Sequence, residues 1–280
     1  MQIYTRLLFA LTLLLGLLGS AYAETKIALL PRLPEAQMKK MFEPLAQYLE
    51  QKTGDKVTLV VPADFAAFKQ TVASGQVDYA FSNPLVYVQL KKEGVAGDAL
   101  VVASEKDSGT EFRGIMIARK DSPIAKLDQL KSKKLVFVDQ DSAGGYIVQL
   151  LMLQKAGLKK DQDFTILPFA KKHSEVVKAV LEGKADAGGI RQGDLEKIKD
   201  IDTSNIKTIA TSEPIPNWPL YPTKSAKGDP SKVRSALLAL TPDAGLSLKI
   251  VGDAGLRGFV NATDQQFESM RAAGKIAGAF

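Results

Sequence analysis

The run Leu135-Val136-Phe137-Val138, closed by Asp139-Gln140-Asp141-Ser142-Ala143-Gly144-Gly145-Tyr146 and continued by Ile147 to Lys155, limits what this chain can fold into more than any other stretch. Its first part is β-branched and aromatic, its middle is made of turn formers, and its last part has apolar residues at helical spacing. The pattern predicts strand, tight turn, helix. At such a junction the first N–H groups of the helix have no partner inside it, and glycines let a ligand come close, so Ser142, Ala143, Gly144 and Gly145, with Tyr146 behind them, form a candidate anion seat. A helix cap without a ligand is the plainer reading of a Ser-x-Gly-Gly turn. The three-glycine spacing of a dinucleotide site and the Gly-Lys-Ser/Thr of a P-loop are both missing, so no nucleotide cofactor is indicated.

The same unit recurs on either side of this stretch. Strand-like runs at 26–30, 57–61 and 78–81 alternate with helical patterns at 37–52, 65–74 and 84–91. A second series places strands at 135–138, 164–168, 185–190 and 206–211, with helices at 146–155, 174–182 and 193–199. Two such series predict an α/β fold of two lobes, each a mostly parallel sheet flanked by helices, with ligands at the carboxyl ends of the strands. The tail beyond 231 carries more helical pattern, and a return to the first lobe is its economical placement. Trp218 and Tyr221 stand in a proline-rich stretch, 214–222, which suits either a loop closing over a ligand or the rim of a lobe.

The first residues point to a compartment. Arg6 precedes the apolar run 7–18, and Ser20-Ala21-Tyr22-Ala23 ends in a small-x-small pattern, so residues 1–23 are expected to be a secretory signal peptide cleaved after Ala23. Its apolar core falls short of the ~20 residues of a membrane helix. The expected location is a periplasm-like space, and with no cysteine in the chain no lipid anchor on a cysteine and no disulfide framework is available. His173 is the only histidine, so no metal site is expected. Without Arg6 the chain has 36 basic and 31 acidic residues, and its lysines are scattered in pairs such as Lys133-Lys134 and Lys171-Lys172. That is not the basic stripe that nucleic acid requires.

In order and spacing, Asp78-Tyr79-Ala80-Phe81-Ser82-Asn83-Pro84, Phe137-Val138-Asp139 through Gly145-Tyr146, His173, Gly183-Lys184-Ala185-Asp186-Ala187-Gly188 and Ser212-Glu213-Pro214-Ile215-Pro216-Asn217 resemble the substrate-binding proteins of phosphate/phosphite/phosphonate ABC importers. The resemblance covers nearly all of the chain beyond the leader. It implies a two-lobed class II periplasmic binding protein with ligand between the lobes and two crossovers, near 112–118 and 209–215. Lobe 1 would then be 24–115 with 212–280, and lobe 2 would be 116–211. It implies ligand contacts at Asn83, Tyr87, His173 and Asp186, an aromatic wall at Phe65, and the oxyanion at Ser142 to Gly145. There the family's Ser-Thr-Ser-Gly-like turn has lost hydroxyls at Ala143 and Gly144. Arg191, where related chains continue with aromatic or small residues, is a candidate added clamp, since a guanidinium pairs with an oxyanion through two parallel hydrogen bonds. The implied partners are a small anion and an inner-membrane permease, or a sensor kinase, and the implied state is a monomer.

Catalysis is not expected. Ser142, His173 and Asp186 could be named as a triad, but Gln140-Asp141 precedes the serine and no Gly-x-Ser-x-Gly elbow is formed. An enzyme on the same fold and a binder of an organic, phosphorus-free ligand are the alternatives.

Overall fold

A computed structural model describes residues 24–106, 108–198 and 200–279, and the signal peptide expected over 1–23 lies outside the described residues. In chain order the elements are β1 (Glu24–Leu29), α1 (Glu35–Thr53), β2 (Lys56–Val60), α2 (Phe65–Ala73), β3 (Tyr79–Phe81), α3 (Pro84–Lys92), β4 (Val101–Glu105), β5 (Glu111–Phe112) and β6 (Gly114–Arg119). They continue as β7 (Lys134–Val136), a wide helical turn Ala143–Ile147, α4 (Val148–Lys155), β8 (Thr165–Ile166), α5 (His173–Leu181), β9 (Ala187–Arg191), α6 (Gln192–Leu195), β10 (Ile206–Thr211) and β11 (Ile215–Pro216). The last are β12 (Pro219–Pro222), α7 (Pro230–Leu238), α8 (Gly245–Val251), β13 (Leu256–Asn261) and α9 (Glu268–Ile276).

The helices begin and end where local chemistry dictates. Asp64 accepts the Ala67 N–H at 2.8 Å to open α2, and Asn83 accepts from Leu85 and Val86 to open α3, with Pro84 at its first position. Gly54, at φ 83°, closes α1 by returning its N–H to Glu50. Met38, Phe42, Leu45 and Leu49 give α1 the buried stripe that fastens it to the first sheet.

Two sheets carry the molecule: a six-stranded one in the order β13-β4-β12-β3-β1-β2 and a five-stranded one in the order β10-β6-β9-β7-β8. β1 runs parallel to β2 and β3, and β7 runs parallel to β8 and β9. β12, β13 and β6 oppose their neighbours. Between the sheets β5 and β11 form a short antiparallel ribbon, Phe112 opposite Ile215. All of β6 hydrogen-bonds in the second sheet, so the first crossing falls at 111–113. The C-terminal α9 packs on α3 from the first sheet's side and on α4 from the second's.

The proline-rich stretch is neither rim nor lid. Residues 219–222 are β12, bonded between β3 and β4 in the middle of the first sheet, with Tyr221 fully buried. The prolines stand at the two ends of this short strand, which leaves Leu220 and Tyr221 between them for the ladder.

Candidate functional site

Between the carboxyl ends of the two sets of strands lies a cavity of about 30 Å³. A single water needs ~10–15 Å³ of such space, so there is room for one small ion and little else. The first sheet and its loops contribute Pro31, Arg32, Phe65, Asn83 and Trp218, and the ribbon contributes Phe112. The second side contributes Val138, Ser142, Ala143, Gly144, Lys171, Lys172, His173, Arg191 and Asp194.

The wide turn supplies backbone donors. Ile147 N–H bonds to the Ser142 carbonyl at 3.1 Å, one residue further back than in an α-helix, and Ser142 Oγ accepts from the Gly145 N–H at 3.1 Å. The N–H groups of Ala143 and Gly144 are left without an acceptor among the described residues, at a helix start where anions are favoured. Gln149 fastens the turn from behind: its Nε2 donates to the carbonyls of Gly144 (2.8 Å), Ile190 (3.1 Å) and Ile115 (3.2 Å). Both glycines are set by close packing. A Cβ on Gly145 would stand 2.5 Å from Val138 Cγ2, and one on Gly144 would stand 2.7 Å from the Phe112 ring.

Two guanidinium groups approach from opposite sides. Arg32 donates from Nη2 to the Ala254 carbonyl at 2.8 Å and stacks 5.7 Å from the Trp218 ring centre. Arg191 lies 4.1 Å from the Phe112 ring centre and donates from Nη2 to Glu105 Oε2 at 2.8 Å, a contact between the two sheets. Its buried Nε has no hydrogen-bond partner. Each arginine is therefore held from outside the cavity while keeping donors to spare.

His173 and Asp194 form the remaining wall. The Arg191 N–H donates to His173 Nδ1 at 3.2 Å, so in the neutral ring the proton sits on Nε2, which lies 3.3 Å from Asp194 Oδ2. Burial holds the imidazole below its ordinary value of 6.5, with Arg191 and Arg32 adding to that effect and Asp194 opposing it. Burial alone would raise Asp194, but His173, Arg191, Arg32 and Lys197 outweigh it and hold the carboxyl below its ordinary 3.8. The site thus contains a neutral histidine and an ionised aspartate. Around it Arg32, Lys171, Lys172 and Arg191 face Asp194, with Glu105 and Asp139 paired to Arg191 and Lys171, which leaves one positive charge in surplus.

Of the residues singled out from sequence, Phe65, Asn83, Ser142, Ala143, Gly144, His173 and Arg191 meet at the cavity. Four do not. Tyr87 is buried between Tyr221 and Phe267, with ring centres 4.8 and 4.7 Å away, and its hydroxyl accepts from the Ala99 N–H. Asp186 is exposed before β9, at the end of the sheet away from the cavity, and accepts from the Lys134 N–H at 2.7 Å. Tyr146 packs on Phe137 and Phe169 and lines a neighbouring cavity. Gly145 spends its N–H on Ser142. Asn83 reaches the cavity, but its Oδ1 caps α3 and its Nδ2 donates to the Asp141 carbonyl at 3.0 Å. Arg32, Asp194, Phe112 and Lys172 were not expected. Arg32 follows β1 and Asp194 follows β9, so the rule that ligands gather beyond strand carboxyl ends would have found both. Among the described residues no group of three or more His, Asp or Glu could hold a metal.

Two sheets flanked by helices and joined by a ribbon, with convergent polar groups between them, define a two-lobed, class II periplasmic binding protein. From residue 27 to 267 the chain matches the family described as ABC transporter, phosphonate, periplasmic substrate-binding protein, and it belongs to that family. It is 28% identical over 201 residues to the phosphate-import protein PhnD of Mycolicibacterium smegmatis, covering 68% of this chain and 63% of that protein. It is 26% identical over 213 residues to the phosphonates-binding periplasmic protein of Escherichia coli, covering 75% of this chain and 60% of that one. The tetrathionate sensor histidine kinase TtrS of Salmonella typhimurium is 27% identical over 148 residues, 51% of this chain and 25% of the kinase. The matched region spans less than two thirds of each of these relatives. The fold is similar to that of PhnD1 from Prochlorococcus marinus in complex with methylphosphonate, with a TM-score of 0.78 at 18% identity over 92% of this chain and 99% of that one.

Proposed function

We propose that this chain is the solute-binding component of an ABC importer, a periplasmic protein that captures a small phosphorus oxyanion between its lobes and hands it to an inner-membrane permease. The carrying observation is the convergence, on one small cavity, of the free N–H groups of Ala143 and Gly144 with Arg32 and Arg191 from opposite sides. Family membership supports the transport role.

The site chemistry narrows the ligand. Phe65, Phe112, Trp218 and Val138 leave an apolar wall that suits a hydrogen or a short alkyl group. His173 Nε2, 3.3 Å from Oδ2, faces one oxygen of the ionised Asp194 carboxylate, and the acceptor capacity that remains favours a ligand that itself carries a donor, such as the P–OH of a monoprotonated oxyanion. Sulfate has no such proton at neutral pH and should bind more weakly. The two sheets with their helices, 24–113 plus 212–279 against 114–211, act as the moving bodies. A ligand that touches both favours their approach by its differential affinity for the closed state.

A thermal-shift panel of phosphate, phosphite, methylphosphonate, 2-aminoethylphosphonate, sulfate and tetrathionate tests this. A ligand at a hundred times its dissociation constant stabilises by ~2.7 kcal/mol, several degrees for a protein of this size. A shift with a phosphorus oxyanion and none with sulfate is expected. A shift with tetrathionate alone would favour a sensory role instead.

A further inference from the structure

Beside the cavity one aspartate of the second lobe is gripped by three side chains of the first. Asp141 is 5% exposed. Its Oδ2 lies 2.6 Å from Lys69 Nζ on α2, its Oδ1 accepts from Gln89 Nε2 on α3 at 2.8 Å, and its carbonyl accepts from Asn83 Nδ2 at 3.0 Å. Gln89 also donates to the Ala279 carbonyl at 3.1 Å, which ties the C-terminal segment into the same knot. Among the described residues of the second lobe, the one hydrogen bond to Asp141 is that of its N–H to the Asp139 carboxylate, with the Lys171 charge nearby. The next residue is Ser142, whose hydroxyl caps the anion-binding turn.

We propose that Asp141 is the latch of the cleft: it holds the lobes together and sets the position of the Ser142 to Gly145 turn without touching the ligand. This rests on the oxyanion-binding reading of the cleft. A buried carboxylate is tolerated where donors surround it, and those donors come from the opposite lobe only when the lobes are together. In an open cleft Asp141, Lys69 and Gln89 are each met by water. Removing one partner therefore penalises the closed state, by leaving a buried group short of its bond, and leaves the open state untouched. Since ligand needs both lobes, the apparent dissociation constant rises in inverse proportion to the closed fraction. The latch is a positioning device, separate from the arginines that meet the anion.

The chain has no cysteine, so a Lys40→Cys/Lys178→Cys background, both sites exposed on helices of different lobes, takes two spin labels at defined positions. Pulsed dipolar spectroscopy on ligand-free protein then reads the spread of interlobe distances. Lys69→Met and Gln89→Leu, which leave the anion turn's own sequence intact, and Asp141→Asn should each broaden the distribution toward longer distances. They should also weaken oxyanion binding about tenfold or more. Unchanged distance distributions in Lys69→Met and Gln89→Leu would overturn the latch, even if Asp141→Asn binds poorly, because Asp141 would then act only through the shape of its own turn. The distances are measured without ligand, so failure of every oxyanion to bind would count against the proposed function and leave the latch to be judged on its own data.

Discussion

Replacing Arg191 by methionine separates the two tasks assigned to this side chain. Its guanidinium holds Glu105 across the lobes, the two side chains being 5% and 9% exposed, while Arg191 also lines the cavity and its buried Nε has no hydrogen-bond partner. After Arg191→Met, Glu105 keeps only Ser108 Oγ at 3.5 Å and Lys197 at 4.0 Å. Breaking a buried ion pair from one side costs ~3–5 kcal/mol, and the residual Lys197 contact puts this case near the lower end. A loss of roughly 3 kcal/mol lowers the midpoint of thermal unfolding by on the order of 10 °C. Loss of a charge-assisted hydrogen bond to the ligand, ~1.5–3 kcal/mol, weakens binding ~10- to 150-fold. The double variant Arg191→Met/Glu105→Gln removes the stranded charge, so it should recover most of the stability and none of the affinity. Calorimetric unfolding and ligand titration of the single and double variants read both quantities. An Arg191→Met protein with an unaltered midpoint, or a double variant that regains full affinity, would refute the division of roles.

Other expectations follow from the same geometry. Ser142→Ala removes the cap on the wide turn and should cost about 1 kcal/mol in urea unfolding, with weaker oxyanion binding by titration. Gly144→Ala places a methyl 2.7 Å from the Phe112 ring and 3.3 Å from Arg191 Cβ; a destabilisation of ~1–3 kcal/mol and at least tenfold weaker binding are expected. The depressed pKa of His173 gives stability a pH dependence whose sign is fixed. As pH falls through 6.5 the unfolded chain takes up the proton first, so stability is full above 6.5 and declines between there and the lower folded value. Unfolding midpoints followed from about pH 8 to about pH 5 should show that decline, and His173→Gln should flatten it.

The layered α/β fold was legible because strand and helix periods differ and each element carries its own stop signals, as Asp64, Asn83 and Gly54 do here. The strand-to-helix turn was legible too, since Ser142 to Gly145 combines a cap with glycines, and the capped turn stands at those residues. Prolines misled at 214–222: they suggest a loop, yet two prolines can bracket a strand as short as β12. Tyr87 was misplaced by one helical turn's geometry. It lies beyond Asn83 on α3, but its side chain turns inward to Tyr221 and Phe267, away from the strand ends. Asp186 precedes β9, whereas the cavity lies beyond that strand's far end, where Arg191 and Asp194 stand. Arg32 is legible only by its place just after β1, since nothing in the composition of Pro31-Arg32-Leu33 marks a site. Its role comes from Trp218 and Ala254, both more than a hundred and eighty positions away.

The most direct test is isothermal titration of the protein with methylphosphonate, phosphite and phosphate, alongside Arg32→Met. The expected result is saturable binding of at least one of them at one ion per chain, lost or weakened at least tenfold in the variant. Absence of binding by all three, or equal affinity in Arg32→Met, would contradict the assignment of this cavity as an oxyanion site.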